Sequence, residues 1–248
     1  MERKQQLERS LATTIENGNF VTESNPVKIF FRDWYLWLVQ LVPSWRHALH
    51  LGNRREGMVQ YKYAAGMPFL PQYGGGKSLP QVYCRKLGQS MGDVAFTDDV
   101  IWDVAKPALF RLVVLLRSLG DLPSALNATA DLESIFAVCG LAVVITIILE
   151  DVTLSATDFK FEKPWSANIY RVATGDEFAR SPLCKNRPAP YGYDPHRLGK
   201  EVCHKRFIFL RPDRIVFAAC DRKDEVNDVA QHIASFMSDY GPDVATTA

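Results

Sequence analysis

The chain has 248 residues, 47% of them apolar, which is enough for one large domain, or a domain with an added segment, around a sizeable core. A formal charge of +1 excludes a global field that would draw in nucleic acid or an anionic membrane. The cysteines (Cys84, Cys139, Cys184, Cys203, Cys220) are irregularly spaced and contain no Cys-x-x-Cys, so neither a zinc ribbon nor a dithiol redox centre is supported.

Taken in order, the start Met1-Glu2-Arg3-Lys4-Gln5-Gln6 is polar and has no apolar signal core behind it. This sets a cytoplasmic expectation, with reduced thiols and a silent sequon at Asn127-Ala128-Thr129. Residues 1–25 read as a polar, loosely docked arm with weak helical character around Leu7, Leu11 and Ile15. The aromatic-rich stretch 29–42 (Phe30, Phe31, Trp34, Tyr35, Trp37) reads as a helix ended by Pro43. Aromatics on nearly all its faces require deep burial or a partner surface. The basic run 46–55 reads as a solvated face. Pro68, Pro71, Gly74-Gly75-Gly76 and Pro80 mark 66–80 as linker or loop. Lys77 is not followed by a phosphate-loop helix pattern.

Beyond the linker we expect strands at 81–84, 94–101 and 110–116, a helix at 124–136 and a strand at 143–149. The uncharged stretch 135–149 is too short for the ~20 residues of a membrane span. Its β-branched run suits a strand buried on both faces. A polar, Pro-rich excursion follows at 160–193. The end reads as strand 206–210, a turn at Arg211-Pro212-Asp213 and strand 214–219. A helix capped by Asp221 then presents Val226, Val229, Ile233 and Phe236/Met237 on one stripe.

Several residues can carry chemistry. His47 and His50 are three apart and would share a helix face, suitable for acid–base work. With no third histidine or carboxylate nearby, no metal is expected. Asp98-Asp99 in a strand would place one carboxylate inside, and pairing with Arg111 or Arg171 is the plainer outcome. Tyr191-Gly192-Tyr193-Asp194-Pro195-His196-Arg197 gathers groups fit for an aromatic carbonyl compound in one loop, although Asp-Pro also simply starts turns. Cys203-His204 on a strand would point to opposite faces and make a poor dyad. The catalytic candidates are therefore His47, His50, Tyr83, Asp98 and His196. Trp45, Arg46, Tyr193 and Arg197 are the candidates for substrate binding.

Across 26–237 the sequence resembles the C-terminal part of fungal phenol-hydroxylase-type flavin monooxygenases. The resemblance rests on Asp33-Trp34-Tyr35-Leu36, Leu41-Val42-Pro43-Ser44-Trp45-Arg46-His47, Gly66-Met67-Pro68-Phe69-Leu70-Pro71, Leu79-Pro80-Gln81-Val82-Tyr83-Cys84, Phe96-Thr97-Asp98-Asp99-Val100-Ile101, Tyr170-Arg171-Val172-Ala173-Thr174-Gly175-Asp176-Glu177-Phe178 and Leu210-Arg211-Pro212-Asp213-Arg214. It implies an α/β chain in three parts. These are the arm 1–25, a helical segment and linker 26–78 like the end of the monooxygenase middle domain, and a thioredoxin-like domain 79–248. The last would be a mixed sheet with flanking helices and no Cys-x-x-Cys. Nothing in 1–60 matches the Gly-x-Gly-x-x-Gly turn of a dinucleotide fold, so no FAD is expected as cofactor.

Three roles follow. The chain is an accessory or dimerisation module in fungal aromatic or polyketide metabolism. Alternatively, it is a cofactor-independent isomerase, cyclase or dehydratase with a pocket for a small aromatic or polyketide ligand. The third role is one half of a split flavin enzyme with a partner monooxygenase. A homodimer is expected, without nucleic acid or membrane as partner.

Overall fold

The computed structural model describes residues 2–51, 60–87, 94–102, 108–154, 169–185, 187 and 192–239. It divides into two compact units, Met1–Met67 and Pro68–Ala248.

In the first unit, α1 (Glu2–Val21) is a continuous helix of 20 residues, so the polar arm is far more regular than the weak pattern at Leu7, Leu11 and Ile15 suggests. Helix α2 (Pro26–Leu41) starts three residues earlier than expected. The Asn25 Oδ1 accepts from Val27 N at 3.0 Å, and Pro26 supplies the preset φ of a first turn. Arg32 joins α1 to α2 by donating to the carbonyls of Phe20 and Val21, each at 3.2 Å. Pro43 does end α2, but it also opens α3 (Pro43–Leu51), where its missing N–H costs nothing.

The second unit is a mixed sheet in the order β2-β1-β5-β4-β3-β6-β7. Its strands are β1 (Tyr83–Lys86), β2 (Val94–Phe96), β3 (Arg111–Leu116), β4 (Val144–Leu149), β5 (Ile169–Val172), β6 (Phe207–Leu210) and β7 (Val216–Cys220). Strands β3 and β4 are parallel and joined through α5 (Leu122–Thr129) and α6 (Leu132–Ala137). The antiparallel pair β6–β7 and α9 (Lys223–Asp239) then close the unit. A βαβ unit followed by an antiparallel hairpin and a closing helix is a thioredoxin-like arrangement, with β5, β1 and β2 extending the sheet beyond β4.

Side chains alternate across β3. Val113 and Leu115 join a core with Val100, Ile101, Leu198 and Val202, contributed by α4 (Thr97–Ile101) and by α8 (Arg197–Glu201) with its C-cap Val202. On α9, Val226, Val229, Ala230 and Ile233 are all fully buried, and α9 packs on α5 and α6.

Four expectations need correction. The strand expected at 94–101 stops at Phe96, because Asp98 and Asp99 favour the first turn of a helix and Asp99 Oδ2 accepts from Phe96 N at 3.2 Å. The helix expected at 124–136 is two helices: Thr129 bonds back to the Ala125 and Leu126 carbonyls, and Asp131 starts the second. The Pro-rich excursion contains β5 and α7 (Gly175–Arg180), the latter begun by a Thr174/Glu177 capping box. Finally, Asp221 does not cap α9; its carboxylate accepts from Arg206 N and Lys205 Nζ, while Glu225 Oε2 accepts from the Asp221 and Arg222 amides.

Candidate functional site

Among the candidates whose side chains are described, Tyr83 and Tyr193 meet in space. Tyr83 on β1 and Tyr193, ahead of α8, have ring centroids 4.4 Å apart. Tyr83 also stacks on Phe178 of α7 at 3.9 Å with the planes nearly parallel, and Phe96 closes the cluster. The Tyr193 hydroxyl accepts from Tyr83 N at 3.0 Å and donates to the Ala173 carbonyl at 3.1 Å. Burial pushes both phenols above their ordinary value, with Cys184 adding to the effect at Tyr83. A general base works best with a pKa near the operating pH, so these two are displaced in the unhelpful direction. They form a packed joint between β1, β5 and α7.

Beside it lies a charged cluster. Glu177 accepts from Arg85 at 3.0 Å and makes a two-pronged contact with the buried Arg171 guanidinium, one prong at 2.8 Å. These guanidiniums and the Thr174 amide hold its carboxyl at about 2, against the burial that opposes them.

Arg171 therefore pairs with Glu177 and not with Asp98. Asp98 instead forms an ion pair with Arg214 at 2.9 Å and accepts from Gln81 at 2.6 Å. Because it sits on the first turn of α4, it faces the neighbouring loops and is not buried in the sheet. His196 is exposed just before α8, and its amide donates to Asp194 Oδ1 at 3.0 Å. Arg197 stands 3.9 Å from Glu201. In the first unit, Trp45 and Arg46 are exposed on the first turn of α3, whose helix also carries His47 and His50. The side chains of those histidines lie outside the described residues, as does Tyr191.

The cysteines are not arranged for redox work. Cys84 is fully buried, near Thr97, and its thiol is pushed up to about 12 by desolvation. In the βαβ unit, the helix N-terminus where a thiol would be acidified follows β3. Ser118 and Asp121 occupy that place and form a capping box. Cys203 and His204 are not on a strand; they form the turn after α8, at φ +54° and +58°. Among the described residues, no group of three His, Cys, Asp or Glu side chains is placed to hold a metal ion. No helix among them is long and apolar enough to cross a membrane.

Two features remain, one on the helix expected to need deep burial or a partner surface and one that was not foreseen. One is a seam along α2: Val27, Phe30, Trp34, Trp37 and Leu41 recur at alternating spacings of three and four, and each is more than half exposed. The spacing was in the sequence, hidden by further aromatics at Phe31 and Tyr35. The other is a cleft of about 210 Å³ in the second unit. Its walls are the 72–78 run and the end of α8 with its turn, and its floor is β7. None of the nine candidates lines it.

No protein-family model and no curated protein matches the sequence. Among solved structures, the flavin-dependent monooxygenase PieE, determined with FAD and substrate, is 13% identical with a TM-score of 0.40. That match covers 89% of this chain but 31% of PieE. Yeast Sco1 with copper bound is 16% identical over 64% of this chain and 93% of its own, TM-score 0.37. A conserved protein of unknown function from Bacteroides fragilis is 11% identical over 62% and 96%, TM-score 0.36. Likenesses this distant carry no functional residue across; the sheet order and the closing hairpin and helix carry the thioredoxin-like assignment.

Proposed function

We propose that this chain is a non-catalytic, thioredoxin-like dimerisation module that binds no flavin of its own and serves aromatic or polyketide metabolism of the kind found in fungi, alongside monooxygenases of the phenol-hydroxylase type. The observation that carries the reading is the α2 seam of Val27, Phe30, Trp34, Trp37 and Leu41. Apolar residues at 3-4-3-4 spacing form the stripe by which helices pair, and exposed apolar stretches of this kind mark interaction sites. The occupant is a second copy of the chain. A twofold pair of identical seams is the commonest form of self-association, and a net charge of +1 leaves the copies without strong mutual repulsion.

The described candidate residues do not favour a cofactor-independent enzyme. Tyr83 and Tyr193 are raised and packed, Asp98 is committed to Arg214 and Gln81, and His196 is exposed with Asp194 as its charged neighbour. Sedimentation velocity tests the proposal. A dimer that becomes monomeric in the Trp34→Ser/Trp37→Ser variant supports it. A wild-type monomer overturns it, and a monomer that captures a separate flavin-binding hydroxylase chain through α2 would establish the split-enzyme role instead.

A further inference from the structure

The 210 Å³ cleft is built wholly from the second unit, and what it binds is independent of how α2 is used. Its polar groups divide into those already occupied and those left available. Tyr73 donates its hydroxyl to Asp228 at 2.9 Å, and Lys205 is paired with Asp221 at 2.8 Å. Glu225 is turned onto the Asp221 and Arg222 amides and the Arg222 side chain. On the 72–78 wall, Lys77 has no carboxylate within ion-pair distance among the described residues, and the Gln72 amide is also free. At the end of α8, Glu201 has only Arg197, at 3.9 Å, as an ion-pair partner among the described residues. The apolar part of the lining is Val202, Val216 and Ala219.

A lysine with no carboxylate partner among the described residues and a glutamate held only by one long ion pair therefore line the same cleft as three apolar side chains. The space exceeds the ~150 Å³ of a cavity that accepts benzene. The volume is enough for a ring-sized body, and Lys77 and Glu201 are the charged lining groups that would meet an anion and a hydrogen-bond donor on it. We propose that the cleft is a binding site for a small, ring-sized carboxylate bearing a donor group at its far end. Lys77 would recognise the anion, Glu201 the donor.

Cys203 lines the same cleft and is the one exposed thiol of the five. It reports occupancy without any mutation. The probe is 4-hydroxybenzoate, compared with benzoate, which lacks the donor, and 4-hydroxybenzyl alcohol, which lacks the anion. Alkylation of Cys203 by iodoacetamide, followed peptide by peptide, is expected to slow as 4-hydroxybenzoate is titrated in, with weaker protection by either control. Losing one charge-assisted hydrogen bond is expected to weaken binding on the order of tenfold. Lys77→Met and Glu201→Gln should each do so, with folding checked by circular dichroism. Equal protection by all three compounds would overturn the proposal, as would alkylation that is indifferent to 4-hydroxybenzoate. Affinity unchanged in both folded variants would overturn it too.

Discussion

Glu177 ties three pieces of chain together with one carboxylate: the guanidiniums of Arg171 on β5 and Arg85 on β1, and the Thr174 amide at the start of α7. Arg171 is only 4% exposed, so removing its counter-ion leaves a buried charge unpaired. Breaking such a pair from one side costs about 3–5 kcal/mol when both groups are buried, and the partial exposure of Glu177 moves the expectation to or just below the lower end of that range. Glu177→Gln should therefore lose about 2–3 kcal/mol at neutral pH by chemical denaturation. The sign of the pH dependence follows from a carboxyl held at about 2 when folded, against an ordinary 4.5. Its contribution is complete above pH 4.5 and fades as the pH falls toward 2. The gap between wild type and variant should close over that window. A gap of constant size from pH 7 to pH 3 would show that shape, not charge, is what Glu177 supplies.

The run 70–77 is held to the outer edge of β7 by main-chain bonds. Leu70 N donates to the Phe217 carbonyl at 2.9 Å, Gly76 N to the Val216 carbonyl at 2.8 Å, and Val216 N to the Lys77 carbonyl at 2.8 Å. A segment that covers an edge strand shields it from foreign pairing, and here it also makes one wall of the cleft. Gly75 is where the two backbones pass closest: a Cβ there would meet the Phe217 carbonyl oxygen at 2.3 Å and the Leu70 oxygen at 2.9 Å. Neither neighbour is a side chain that can swing away. Gly75→Ala should cost about 2–3 kcal/mol and speed hydrogen exchange at Leu70, Gly76 and Val216. Gly74, with nothing within 4 Å, is the control: Gly74→Ala should pay only for its positive φ and leave those amides protected.

The sequence shows three glycines and one proline in 70–77 and marks a loop, but no local pattern says that the loop lies along an edge. The same limit runs through the fold. The hairpin and helix from 206 onward were legible, because period-two and period-3.6 patterns are local. Strand β5 was hidden in a polar, Pro-rich stretch, since four residues held between β4 on one side (parallel) and β1 on the other (antiparallel) need little hydrophobic signal of their own. The Thr174-x-x-Glu177 capping box was the available clue to α7. Asp98 was read correctly as a paired carboxylate, but its partner Arg214 is 116 residues away and follows only from the register of β6 and β7.

The two units bury apolar surface to very different degrees. The second has continuous cores on both sides of its sheet, with β3, β6 and β7 buried along their whole length. In the first, most large apolar residues of α1 and α2 are more than half exposed, among them Leu7, Leu11 and Ile15 besides the α2 seam. Helices with so little packing gain stability mainly by pairing, so their order should depend on protein concentration while that of the sheet should not. Thermal unfolding is expected in two steps. The earlier one would be seen as the larger part of the tryptophan fluorescence change, since Trp34, Trp37 and Trp45 belong to the first unit and Trp102 and Trp165 to the second. It should move up by several degrees per tenfold increase in concentration, because dimerisation stabilises by mass action. The later one, followed by near-ultraviolet circular dichroism of the sheet's aromatic cluster, should stay fixed. In Trp34→Ser/Trp37→Ser the first step should lose its concentration dependence and shift down, with the second unchanged. A single transition that is insensitive to dilution would mean that α2 is not stabilised by a second copy.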